Sequence, residues 1–202
     1  MRDQSVKKTF DVFLANESVC RESNNKPHLV SKSLIMIHYI SGGERSGKSA
    51  YGEKLALSLS KTPVYLATSR IWDDDFKNRV EKHQNGRSSN WINREEEKDL
   101  SKAIHPGEVV LVDCVTLWLT NYFMDFDNDL EACLKIAKQE IDAIEKIETT
   151  VIFISNEIGM GGHAETSIGR KFTELQGLIN QYIAEKASKA TVVISGLPLQ
   201  LK

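Results

Sequence analysis

The chain has 202 residues, 41% hydrophobic and 27% charged, enough for one well-filled core and too few for two independent ones. Its 26 Lys and Arg against 28 Asp and Glu give a formal charge of -2 with no cationic block, which argues against a nucleic-acid partner, since affinity for phosphate backbones needs clustered cations. Cys20, Cys114 and Cys133 are odd in number and widely spaced, and no apolar run nears the ~20 residues that cross a bilayer. A disulfide framework, a zinc knuckle, secretion and membrane insertion are therefore not expected, and a cytoplasmic location is.

Residues 1–33 differ in composition from the rest, with Lys7-Lys8, a polar run from Arg21 to Pro27 and only short apolar pieces. They read as an N-terminal extension, an upstream mis-start or a disordered tail being favoured over a regulatory arm. The domain proper is expected over 34–202. It opens with the apolar run LIMIHYI, 34–40, the right length for a buried strand and closed by Ser41-Gly42-Gly43. Further strands are predicted at 63–67, 108–113, 150–154 and 190–195. Between them lie amphipathic helices, one striped by Leu130, Leu134, Ala137, Ile141 and Ile144, another by Phe172, Leu175, Ile179, Tyr182 and Ile183. Both stripes read as core packing. The alternation is that of βαβ units around a parallel sheet, an α/β fold.

Leaving the first strand, Gly42-Gly43-Glu44-Arg45-Ser46-Gly47-Lys48-Ser49 satisfies G-x-x-x-x-G-K-[ST]. A phosphate loop must leave a buried strand, turn its backbone N–H groups toward the phosphates and enter a helix whose positive end adds to the attraction. Lys48 then reaches the β and γ phosphates as a point charge, and Ser49 holds a Mg2+ ion through its hydroxyl. The plainer alternative, a glycine turn that happens to contain Lys-Ser, fits the strand and helix on either side less well. Val109-Val110-Leu111-Val112-Asp113 puts a carboxylate at a strand's C-terminal edge, where ligands collect in open α/β sheets. The residues leave Asp113 as a second metal ligand, a cap for the next helix, or both. In Arg79-Val80-Glu81-Lys82-His83-Gln84-Asn85-Gly86-Arg87, His83 is expected at the end of a short helix predicted to start at Asp73-Asp74-Asp75. A histidine there is more often a surface or capping residue, although a neutral imidazole can attack phosphorus with cations nearby to neutralise charge. Periodicity does not decide between these roles.

Together, ISGGERSGKS (40–49), VYLATSRIWDDDFKNRVEKHQNGR (64–87), VDCVTLWLTN (112–121), SNEIGMG (155–161) and a tail with Gly177, Asn180-Gln181 and SGLPLQLK (195–202) resemble a known family in order and spacing. This is the bifunctional adenosylcobinamide kinase and adenosylcobinamide-phosphate guanylyltransferase family of cobalamin biosynthesis. The resemblance covers 36–202 and implies a three-layer, P-loop NTPase-like fold with a mainly parallel central sheet. It implies that adenosylcobinamide is phosphorylated with ATP or GTP. GMP then passes from GTP through a guanylyl-histidine to adenosylcobinamide phosphate, giving adenosylcobinamide-GDP. The histidine of the family's R-[IV]-x-x-H-x-x-x-R pattern falls on His83. Nucleotide contacts fall on the 42–49 loop, on Ala67, Thr68 and Ser69, on Gln84, Asn85, Gly86, Arg87 and Glu95, and on Leu117. The family's homo-oligomers, trimers among them, imply the same here.

The chain departs from the family where Asn156-Glu157-Ile158-Gly159-Met160-Gly161 runs into Gly162-His163-Ala164 instead of an aliphatic residue and proline. That loop is expected to differ in shape on the corrinoid side. The other histidines carry ordinary readings, and Trp72, Trp91 and Trp118 read as core rather than as stacking surfaces. A single-activity guanylyltransferase or small-molecule kinase is the alternative, and a P-loop nucleotide switch a more distant one.

Overall fold

Parallel strands buried on both faces need continuous apolar runs, and five such runs form the centre of the sheet in the computed structural model, which describes residues 35–70 and 90–202. The elements are β1 (Met36–Gly42), α1 (Lys48–Leu59), β2 (Val64–Ala67), β3 (Ile92–Glu95), α2 (Leu100–Ala103), β4 (Val109–Asp113), α3 (Val115–Asp125) and α4 (Leu130–Ile144), followed by β5 (Thr150–Asn156), a 3-10 turn (Gly159–Gly161), α5 (Ser167–Lys186), β6 (Lys189–Ile194) and β7 (Leu197–Gln200). The sheet order is β3-β2-β4-β5-β1-β6-β7, parallel except for β7, which pairs antiparallel with β6. The extension expected over 1–33 lies outside the described residues.

All five predicted strands form, with small shifts. β1 ends at Gly42 rather than at residue 40, because Ser41 and Gly42 continue the ladder opposite Ser155 and Asn156. Two strands escape sequence reading. β3 (INRE) is a short, largely exposed edge strand without an apolar run, and β7 (LPLQ) is exposed throughout and contains Pro198.

Strand alternation divides the core in two. Ile37, Tyr39, Leu66, Val112, Val151 and Phe153 face one cluster with the buried stripes of α3, α4 and α5. Ile40, Tyr65, Leu111, Ile152 and Ile154 face the other, against α1. Helices thus cover both faces, a three-layer P-loop NTPase-like α/β fold. Helix starts follow local chemistry: Asp129 accepts from the Ala132 N–H at 3.1 Å and Thr166 from the Gly169 N–H at 3.0 Å. Trp118 is fully buried and donates to the Lys98 carbonyl at 2.8 Å, and Trp91 is buried against Tyr65, so both serve the core. Trp72 lies outside the described residues. No helix of the described residues is long and apolar enough to cross a membrane.

Candidate active site

β1 is flanked by β5 and β6, so the loop at its C-terminal end emerges from the middle of the carboxyl edge of the sheet. Gly42 closes the strand with its carbonyl accepting from the Glu157 N–H at 3.0 Å. A Cβ at position 42 would stand 2.5 Å from both Ser46 Oγ and the Val193 carbonyl, so glycine is required by close approach. Gly47, the N-cap of α1, has φ +97, the left-handed conformation that turns the chain into the helix. The loop is pinned from outside by the Gly196 N–H, which donates to the Ser46 carbonyl at 2.7 Å.

Lys48 is buried, and its Nζ donates to the Gly43 carbonyl at 3.0 Å, which folds the ammonium over the loop. Ser46 Oγ is buried without a protein partner. α1 begins without a side-chain cap or an acidic residue in its first turn, so its amide dipoles and Lys48 form one positive concavity. This geometry fits a nucleotide phosphate. Ser49 follows, half-buried, in the first turn.

Asp113 ends β4 two strands away. Its Oδ2 accepts from Tyr65 Oη at 2.8 Å, whereas the N-cap of α3 is Cys114, which makes no side-chain cap bond. Of the two roles open from sequence, helix capping is therefore not the one observed. Among the described residues no group of three or more His, Cys, Asp or Glu could hold a metal ion. Ser49 and Asp113 offer the few hard oxygen donors suited to Mg2+, which keeps waters and substrate phosphates as its other ligands.

The end of β2 is built as a clamp. Thr68, fully buried, donates through Oγ1 to the Cys114 carbonyl at 2.8 Å and accepts from the Cys114 N–H at 3.0 Å. Asn121 Nδ2 donates to the Thr68 carbonyl at 2.8 Å and the Glu97 carbonyl at 2.9 Å. The Thr68 hydroxyl is thus committed to backbone, and the β2–β4 register places Ala67 beside Asp113. Glu95, in register with Ala67, stands at the same edge. With Ser69 it borders an open cleft of about 470 Å3, which Arg70, Glu97 and Asp99 also line. Arg70 holds Glu97 at 2.7 Å and Asp125 at 3.0 and 3.1 Å, and Lys98 also pairs with Asp125. These cations hold the Asp125 carboxyl well below the usual carboxylate range. Leu117, partly buried in the first turn of α3, packs against the cluster under α1. Burial, with the Asp113 charge adding to it, pushes the Cys114 thiol up to about 12, so it is no nucleophile near neutral pH.

His83, Gln84, Asn85, Gly86 and Arg87 lie outside the described residues. Among those described, the loop, Ser49, Asp113, Ala67, Ser69 and Glu95 stand along the carboxyl edge of the sheet, with Ala67, Asp113 and Glu95 in register and the loop two strands from Asp113. The fold adds three groups that sequence reading missed in this role: Tyr65 on Asp113, Gly196 on the loop and Glu157 on Gly42. Each acts across a strand pairing or turn far away in sequence, so no local signal marks it.

Residues 38–201 match the family model described as cobinamide kinase / cobinamide phosphate guanyltransferase. The chain belongs to this family. It is 34% identical over 182 residues to the bifunctional adenosylcobalamin biosynthesis protein CobU of Escherichia coli (strain K12), covering 83% of this chain and 100% of that protein. Against the bifunctional adenosylcobalamin biosynthesis protein CobP of Pseudomonas aeruginosa, identity is 32% over 172 residues, with 81% and 95% covered. CobU of Salmonella typhimurium gives 31% over 182 residues, with 83% and 100% covered. As a member of the cobinamide kinase and guanyltransferase family, the chain is a nucleotide-using enzyme of small-molecule substrates.

Proposed function

We propose that the enzyme phosphorylates the hydroxyl of adenosylcobinamide's aminopropanol arm with ATP or GTP and then transfers GMP from GTP to adenosylcobinamide phosphate through a guanylyl-histidine at His83. The observation that carries the nucleotide half is the loop itself: Lys48 folded onto the Gly43 carbonyl, with uncapped helix amides behind it. In the kinase step these donors hold the β and γ phosphates in line with the acceptor and meet the charge that develops on the transferring group. Ser49 and Asp113 would hold Mg2+, which would neutralise phosphate charge. In the second step His83 attacks the α-phosphorus, pyrophosphate leaves, and the phosphoramidate gives GMP to the acceptor phosphate. Ala67, Thr68, Ser69, Gln84, Asn85, Gly86, Arg87, Glu95 and Leu117 complete the GTP contacts in this reading.

A cytoplasmic location and a homo-oligomer, a trimer in this reading, complete the proposal. Free buried Cys114 and Cys133 suit a reducing compartment, and Ile194, Leu197, Leu199 and Leu201 form an exposed apolar edge that suits subunit contact. Sedimentation of wild type and Leu199→Lys tests the assembly: a shift to monomer supports it, and an already monomeric wild type removes it.

The chemistry is tested by incubating wild type and His83→Ala with Mg2+ and GTP labelled at either the α or the γ phosphate. Acid-labile protein label from the α position alone, absent in His83→Ala, is the expected result. Absence of label from wild type, or retention in His83→Ala, sinks the guanylyl-histidine.

A further inference from the structure

The turn after β5 brings a second acidic residue, Glu157, beside the start of the phosphate loop. Asp113 pairs with Ile154 and Gly42 with Asn156, so β5 outruns β4 by two residues, roughly 7 Å at strand rise. Glu157 stands one residue further, tied to the loop by its N–H on the Gly42 carbonyl at 3.0 Å. Alternation separates the two carboxylates. Asp113 lies on the α1 side with Tyr65, whereas Glu157 lies on the other side, near enough to buried Tyr39 for its charge to reinforce the rise that burial imposes on that phenol.

The support under this turn is polar, buried and therefore costly to build. Ser155 Oγ donates to Asn180 Oδ1 at 2.6 Å, and Gln176 Nε2 donates to both, at 2.9 and 3.0 Å. Asn180 Nδ2 in turn donates to the Asn156 carbonyl at 3.2 Å, and Thr116 Oγ1 accepts from the Asn156 N–H at 3.2 Å. The carboxylate itself is oriented by the Gly159 N–H, 3.3 Å from Oε1.

We propose that Glu157 is the general base of the kinase reaction. The inference rests on the phosphorylation of a substrate hydroxyl given above. The acceptor oxygen forms its bond to the γ-phosphorus, and the bond from that phosphorus to the β–γ bridging oxygen breaks with its electron pair leaving on the nucleoside diphosphate. The hydroxyl proton passes to the Glu157 carboxylate and then to solvent. Held opposite Asp113 across the sheet edge, Glu157 can take this proton without competing for the metal. Guanylyl transfer needs no such base, because its acceptor is an already ionised phosphate. Loss of Glu157 must therefore split the two activities.

The test measures both in the purified full chain for wild type, Glu157→Gln and Glu157→Asp. Phosphate transfer from ATP to adenosylcobinamide reads one activity, and guanylyl transfer to supplied adenosylcobinamide phosphate reads the other. Glu157→Gln is expected to lower kinase kcat by about 10²- to 10⁴-fold, with the KM for ATP and the guanylyl transfer each kept within about threefold, and Glu157→Asp to recover part of the loss. Equal loss of both activities would make the residue structural, recovery of the kinase at raised Mg2+ would make it a metal ligand, and an unchanged kinase would leave it idle; each overturns the proposal. A wild type that transfers GMP but not phosphate overturns the kinase reading and this inference with it, whereas an active wild type with an active Glu157→Gln overturns this inference alone.

Discussion

At position 42 a single missing methyl group shapes the site. Gly42→Ala drives a Cβ into the Val193 carbonyl and Ser46 Oγ, each 2.5 Å away, and a carbonyl in a strand cannot swing aside. The substitution is expected to cost about 1–3 kcal/mol and to deform the loop. Next door, Gly43 faces open space, so Gly43→Ala should leave thermal stability unchanged. Melting curves of the two variants check the contrast, and equal melting temperatures would contradict it. Lys48→Ala removes the ammonium from the phosphate path, with an expected fall in kcat/KM of about 10²- to 10³-fold in both reactions and little loss of stability. Steady-state kinetics with each acceptor reads this.

Among the elements, β3 is held by charge rather than by apolar burial. Arg94 grips Glu108 at 2.6 and 2.5 Å and also donates to the Ala103 carbonyl at 2.8 Å, which ties the edge strand to α2 and the start of β4. Arg94 lowers the Glu108 carboxyl below its ordinary 4.5, with the His105 N–H helping. A carboxyl depressed in the folded state stabilises it above the unfolded pKa and loses that contribution as pH falls through the folded one. Glu108→Gln is thus expected to be less stable than wild type at pH 7, by about 1–2 kcal/mol, with the gap closing below about pH 4.5. Urea unfolding at pH 7 and pH 3.5 measures it. On the same sheet face, Asn180→Ala removes the centre of the Ser155–Gln176 network and should cost about 1–3 kcal/mol with an unchanged urea slope. β3 and the network were illegible in sequence for one reason. Their stability lies in pairings between Arg94 and Glu108, or Ser155 and Asn180, that no local pattern encodes, whereas the stripe from Leu130 to Ile144 encodes α4 in plain periodicity.

On the scale of the molecule, the loop, Asp113 and the central strands were readable, because strand, glycine turn and helix are contiguous around 42–49 and four apolar residues precede Asp113. The arrangement around them was not. Tyr65 meets Asp113 only through the β2–β4 register, and the Thr68 hydroxyl bonds to Cys114 because β2 and β4 end side by side.

The Gly196 bond to the Ser46 carbonyl, 2.7 Å, has a temporal meaning. About 150 residues separate its two ends, so at ribosomal speed the turn that shapes the loop follows it by roughly 8 to 30 s. A growing chain therefore carries the whole phosphate motif before the bond that pins the loop can form. Chains cut at residue 194 should fail to retain a fluorescent GTP analogue that the full-length protein keeps.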